Sequence, residues 1–122
     1  MNRIFLIGIL GILLFSCTPE EGLGGEASIS GQVKHHDDPI PNSLVLIKYG
    51  ATELPGTNAG DYDDQTLASS TDGSFQFESL EKGSYYLYSM GYDSTIVDSV
   101  FGGLHVTVKK GEALEIDIPI TE

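Results

Sequence analysis

Three stretches of this 122-residue chain gather reactive or metal-binding side chains close together. His35-His36-Asp37-Asp38 offers imidazoles and carboxylates, the donors that zinc-like ions favour. Adjacent side chains on a strand point to opposite faces, however, and Pro39 marks a loop just beyond. The stretch therefore reads as a solvated polar turn, and His105, beside Val106, as an ordinary strand-end residue. Asp61-Tyr62-Asp63-Asp64-Gln65 clusters acids in a long loop, where oxygens from Asp61, Asp63 and Asp64 could hold calcium weakly. The EF-hand pattern is incomplete, with no glycine at the sixth position from Asp61 and no glutamate at the twelfth. An acidic loop tip is the other reading. Finally, Tyr85-Tyr86-Leu87-Tyr88 sits in a chain with six tyrosines and no tryptophan. If Tyr85 and Leu87 face inward, Tyr86 and Tyr88 face out, as a stacking platform for a sugar or a contact for a protein. Alternatively they lie beneath the long loop at 50–67, with Tyr62 folded back onto them.

The strands that carry these groups follow from hydropathy. Ile29, Gly31 and Val33 alternate with Ser30, Gln32 and Lys34. Leu114, Ile116, Ile118 and Ile120 alternate with polar residues and Pro119; Phe75 and Phe77 flank Gln76; Val106 and Val108 flank Thr107. Period-two patterns suit half-buried antiparallel strands. Ser43 to Tyr49 is more uniformly apolar, as a strand covered on both faces would be. Turn signals at Asp37-Asp38-Pro39, Leu54-Pro55-Gly56, Asp72-Gly73, Lys82-Gly83, Gly102-Gly103 and Lys110-Gly111 separate the runs, with Asp72-Gly73 the best hairpin candidate. About seven short strands predict an all-β fold, a single antiparallel β-sandwich over 28–121. The connection at 50–67 is long for a compact domain.

The N-terminus has a different character. Asn2 and Arg3 precede an apolar run, Ile4 to Phe15, of about 12 residues, well short of the ~20 that span a bilayer. Ser16 and Cys17 close it. A charged head, an apolar middle and a small residue before the cut form a secretory signal. Leu14-Phe15-Ser16-Cys17 resembles a bacterial lipobox, which implies a signal peptide at 1–16 and a mature chain starting at a lipidated Cys17. Residues 17–27, acidic and Gly-rich, read as a tether. Cys17 is the only cysteine, so lipidation would leave neither a disulfide nor a thiolate site.

Six bases against eighteen acids give a formal net charge of −12. Loss of Arg3 with the leader would leave five against eighteen, or −13. Such a balance repels phosphate backbones, so nucleic-acid binding is not expected. It also lacks the polybasic patch that holds proteins to anionic headgroups. Attachment to membrane would come from acyl chains such as palmitate on Cys17, with more than one chain needed for stable anchoring. No Gly-x-Ser-x-Gly elbow, His-Glu-x-x-His or Gly-rich phosphate loop is present. Acids abound, yet nothing singles out a pair, and a small sandwich offers little cleft for a two-carboxylate hydrolase. We therefore do not expect an enzyme.

Ser30-Gly31-Gln32-Val33, Pro39-Ile40-Pro41-Asn42-Ser43-Leu44-Val45, Thr71-Asp72-Gly73-Ser74-Phe75-Gln76-Phe77, Leu80-Glu81-Lys82-Gly83-Ser84-Tyr85 and Gly91-Tyr92, in that order, resemble the carboxypeptidase regulatory-like domain. That family is grouped with Ig-like, transthyretin-like and collagen-adhesin B-type sandwiches. The resemblance implies a non-catalytic module of an exported bacterial protein, here a stand-alone lipoprotein of the cell envelope. The expected location is the outer membrane of a Gram-negative bacterium, facing the periplasm or the surface. The expected role is structural or protein-binding; the alternative is a glycan- or calcium-binding accessory of an outer-membrane complex. Some collagen-adhesin relatives carry a Lys-to-Asn isopeptide bond. Lys34 is early enough for one, but residues 114–122 contain no asparagine, so none is expected.

Overall fold

The computed structural model describes residues 20–122. The expected signal peptide, Cys17 and the first residues of the expected tether lie outside the described residues. The described residues form nine strands: β1 (Leu23–His35), β2 (Asp38–Pro39), β3 (Leu44–Tyr49), β4 (Asp64–Leu67), β5 (Ser74–Leu80), β6 (Gly83–Asp93), β7 (Asp98–Val108), β8 (Ala113–Glu115) and β9 (Ile118–Pro119). A three-residue 3-10 turn, Ala59–Asp61, interrupts them. Among the described residues no helix is long and apolar enough to cross a membrane.

Alternation in the sequence becomes two faces in space. Along β1, Ala27, Ile29, Val33 and His35 are buried while Ser28, Ser30, Gln32 and Lys34 between them turn outward, because successive strand side chains leave on opposite sides. β5 and β2 pair with β1 antiparallel, and β8 and β9 pair with it parallel. The second sheet, ordered β4-β3-β6-β7, is antiparallel throughout. Phe75, Phe77 and Leu80 of the first sheet meet Val45, Ile47, Tyr85, Leu87, Val100 and Val106 of the second in one core. Each fully buried aliphatic or aromatic side chain contributes roughly 1.5–3 kcal/mol. The fold is the expected all-β sandwich, with nine strands in place of about seven and its last two parallel to β1.

Four local expectations are corrected. Leu23 to Ala27, assigned to the tether, belong to β1. Their glycines permit a close backbone approach where a flexible linker was expected: a Cβ on Gly25 would collide with the Leu80 carbonyl and Glu81 Cα. The Gly22 amide donates to the Tyr85 hydroxyl at 2.9 Å, and that hydroxyl donates to the Glu81 carbonyl at 2.6 Å. Asp72-Gly73 does not close a hairpin. It turns the chain from β4 in one sheet to β5 in the other, with Gly73 at φ 70°. Gly102-Gly103 lies within β7, paired with Ser89 and Tyr88, and makes no turn. The long loop ends at Asp63, since Asp64–Leu67 adds the edge strand β4 to β3.

The C-terminal segment closes one side of the sandwich. It runs along β1 and then bridges to β7, where Phe101 and Thr121 exchange backbone hydrogen bonds of 2.9 and 3.1 Å. Gly31 makes this route possible, because a Cβ there would overlap the Ile116 carbonyl. Between β8 and β9 the Asp117 carboxylate accepts the Gln32 amide at 3.0 Å, filling the gap in the ladder. Lys34 lies outward, 3.2 Å from Asp117, with both side chains partly exposed.

Candidate functional site

Register places side chains on the outer face of the second sheet in rows across its strands. Gln65, Leu46, Tyr88 and Gly103 form one row, and Leu67, Leu44, Met90 and Phe101 form the next. The loop at 50–63 covers the first. The Tyr62 ring stacks on Tyr88 at 6.1 Å and 16°, and the Tyr62 hydroxyl donates to the Gly56 carbonyl at 2.8 Å. Burial, with the neighbouring Tyr86 and Tyr88 phenols and Asp61 adding to it, pushes the Tyr62 phenol up to about 12. Tyr88 is therefore buried and does not present the open ring expected of a ligand contact, while Tyr86 stays half-buried. The reading that put these tyrosines beneath the loop, with Tyr62 folded onto them, describes the structure.

The second row is not covered by the loop. Leu67 is 69% exposed and Phe101 43%, with half-buried Leu44 and Met90 between them, and Tyr92, 52% exposed, follows on the same face of β6. The β6–β7 hairpin ends in Ile96 and Val97, both exposed. Val97 sits at φ 55°, a left-handed conformation unusual for a β-branched residue. Sequence reasoning missed this face because it left Leu67 in the loop and read Gly102-Gly103 as a turn, which hid the strand that carries Phe101.

The acidic triplet does not converge. The Asp61 carboxylate accepts the Asn58 amide at 3.2 Å, Asp63 accepts the Tyr49 amide at 2.8 Å and lies 3.6 Å from Lys48 Nζ, and Asp64 accepts the Gln65 amide at 2.8 Å. Each caps its own stretch of backbone, and the calcium expectation finds no shared cradle. Over the outer face of the first sheet, and reaching Thr66 and Leu67 of the edge strand β4, an open groove of about 810 Å³ is lined by Gln32, Lys34, Asp72, Gln76 and Asp117 among others. Its polar groups are partly paired, the Lys34 side chain with that of Asp117 and Gln32 Nε2 donating to the Asp72 backbone carbonyl at 2.9 Å.

The histidine pair departs most from expectation. His35 is the last inward residue of β1, 2% exposed, and Asp93, the last inward residue of β6, is 5% exposed. His35 Nδ1 lies 2.8 Å from Asp93 Oδ2, joining the two sheets at one end of the sandwich, and Nε2 lies 3.0 Å from Glu122 Oε1. The Thr95 hydroxyl and amide donate to Asp93 Oδ1 at 2.6 and 2.9 Å. Hydrogen bonding to Asp93 raises the imidazole above its ordinary value against the opposing effect of burial, with Glu122 adding to the rise. Donation by His35 and Thr95 holds Asp93 down at about 2. The solvated-turn reading is thus corrected for His35. For His36 the reading holds, since it is an exposed turn residue, but the ring does not diverge from His35: His36 and Asp37 are left-handed, at φ 51° and 71°, so strand alternation stops. The His36 ring returns to within 4.2 Å of His35.

No family model matches the chain, and no curated protein matches it.

Proposed function

We propose that the protein is a non-catalytic module, lipid-anchored at Cys17 in the bacterial cell envelope, that binds a partner protein through the outer face of β4-β3-β6-β7. One observation carries this reading: the uncovered apolar row Leu67, Leu44, Met90 and Phe101, continued by Tyr92. Contiguous exposed apolar groups on a folded domain mark contact sites, and aromatic residues and methionine are enriched at such interfaces. A protein fits better than a glycan, because the row is largely aliphatic and the tyrosine platform is already occupied by Tyr62. With a formal charge of −12, the chain favours a partner that frames its own apolar groups with bases. The resemblance to the carboxypeptidase regulatory-like domain belongs to the same reading, since that family supplies non-catalytic modules. The leader and the tetrapeptide ending in Cys17 support export and anchoring, with the outer membrane as the proposed site.

Crosslinking in intact cells tests the contact. The double variant Leu67→Ser/Phe101→Ser should lose the crosslinked species while melting within about 3 °C of the parent, surface changes being nearly neutral. Retention of the species by the folded variant would overturn the proposed face. Metabolic labelling with palmitate tests the anchor: label should appear on the protein and vanish in Cys17→Ser, and an unlabelled parent chain contradicts it.

A further inference from the structure

We propose that His35, His36 and Glu122 form a binding site for one divalent transition-metal ion of the zinc class, oriented by Asp93. The ring nitrogens of His35 and His36 and a carboxylate oxygen of Glu122 all lie within 4.8 Å of one another. They are the one such grouping of three or more ligand-type side chains among the described residues. A bound zinc ion keeps nitrogen and carboxylate ligands about 2.0–2.2 Å away, so the three donors must close modestly on it. His36 and Glu122 are exposed and free to make that adjustment.

The buried partner supplies the stronger argument. A metal-binding histidine usually passes its other ring N–H to a carboxylate, which fixes the tautomer and the ring plane. Here His35 Nδ1 is 2.8 Å from the buried Asp93 carboxylate, itself held by two bonds from Thr95. That arrangement directs Nε2 toward Glu122 and the surface, and once Nε2 gives up its proton the lone pair of the neutral ring faces the other two donors. On binding, the metal takes the place of the Nε2 proton, which leaves to solvent. The backbone cooperates: the left-handed pair His36 and Asp37 returns the second ring to the side of the first. Two imidazoles and one carboxylate suit zinc, copper or nickel better than calcium or magnesium. Three protein ligands leave a coordination position open to water or to a group from outside.

Calorimetric titration of zinc chloride into the full chain in detergent tests the site. The chain should carry Cys17→Ser, so that no thiol competes. One ion per chain should bind and raise the melting temperature. His36→Ala, an exposed change, should leave the metal-free melting temperature in place and weaken binding at least tenfold. Asp93→Asn should weaken it about tenfold to a hundredfold, the usual effect of losing an outer carboxylate. Calcium chloride in the same experiment should give no heat. The proposal is overturned if zinc neither binds nor shifts melting, or if folded His36→Ala binds as tightly as the parent. Should Asp93→Asn fail to fold, the His36→Ala comparison alone decides.

Discussion

A hydrogen-bonded histidine–carboxylate pair occupies one end of the sandwich where a hydrocarbon plug would do. His35 and Asp93 are each inward on their strands, and each finds its partner across the gap between sheets. Breaking such a pair leaves one buried charge without compensation, whereas exchanging both partners for apolar groups is often neutral or better. Metal-free His35→Leu and Asp93→Leu should therefore each melt several degrees below the parent, and the double variant should recover much of the loss. Additive losses, measured by thermal denaturation, would show that the two residues do not act as a pair. Tyr62 gives a second prediction at this scale. Its folded-state value, pushed up to about 12, lies above the ordinary tyrosine value of ~10. The stability it contributes is complete below pH ~10 and is lost as the pH rises toward 12. Spectrophotometric titration of tyrosine should show a late-ionising phenol that disappears in Tyr62→Phe; no change between the two chains would mean that the loop does not dock. The docking of Tyr62 was among the readings the sequence offered, but the convergence of the histidines was not written in residue identity alone. Adjacent histidines on a continuing strand diverge, and only the left-handed turn at His36 and Asp37 makes them converge.

Strands were legible where alternation was clean. Ile29, Val33, Phe75 and Phe77 declare their inward faces by period, as do Tyr85 and Leu87. Connections were not, because glycine has two uses that composition does not separate. At Asp72-Gly73 it turns the chain; at Gly25, Gly31 and Gly102-Gly103 it lets backbones approach or sits mid-strand. Gly31→Ala tests the second use. The added methyl must displace the Ile116 carbonyl, an overpacking that costs about 1–3 kcal/mol. Hydrogen exchange should show faster loss of protection at the Ile116 and Ile120 amides, which donate to Ser30 and Lys34 carbonyls, with little change in β3 and β6. Unaltered protection at both amides would mean that the segment does not depend on this approach. The acidic loop shows how little nearness in sequence says about shared geometry: Asp61, Asp63 and Asp64 are close along the chain, but each bonds a different amide.

At the scale of the whole molecule, two sheets share one core and differ in what covers their backs. The core is general: Leu87→Ala, at a fully buried position, should cost ~2–5 kcal/mol in chemical denaturation and weaken every element together. The backs are particular. One carries a polar groove with paired charges, and the other an apolar row half covered by its own loop. Binary pattern reveals that a residue points outward without saying whether anything lies above it, so the tyrosines and the Leu67–Phe101 row could not be ranked from sequence. Site-specific photo-crosslinking in intact cells ranks them. Photoreactive residues placed singly at Leu67 and Phe101 should trap the same discrete partner, and one at Glu78, on the outer face of β5 and outside the groove that Leu67 borders, should trap none. Equal capture from both faces, or none from Leu67 and Phe101 in folded, membrane-attached protein, would contradict the proposed binding face.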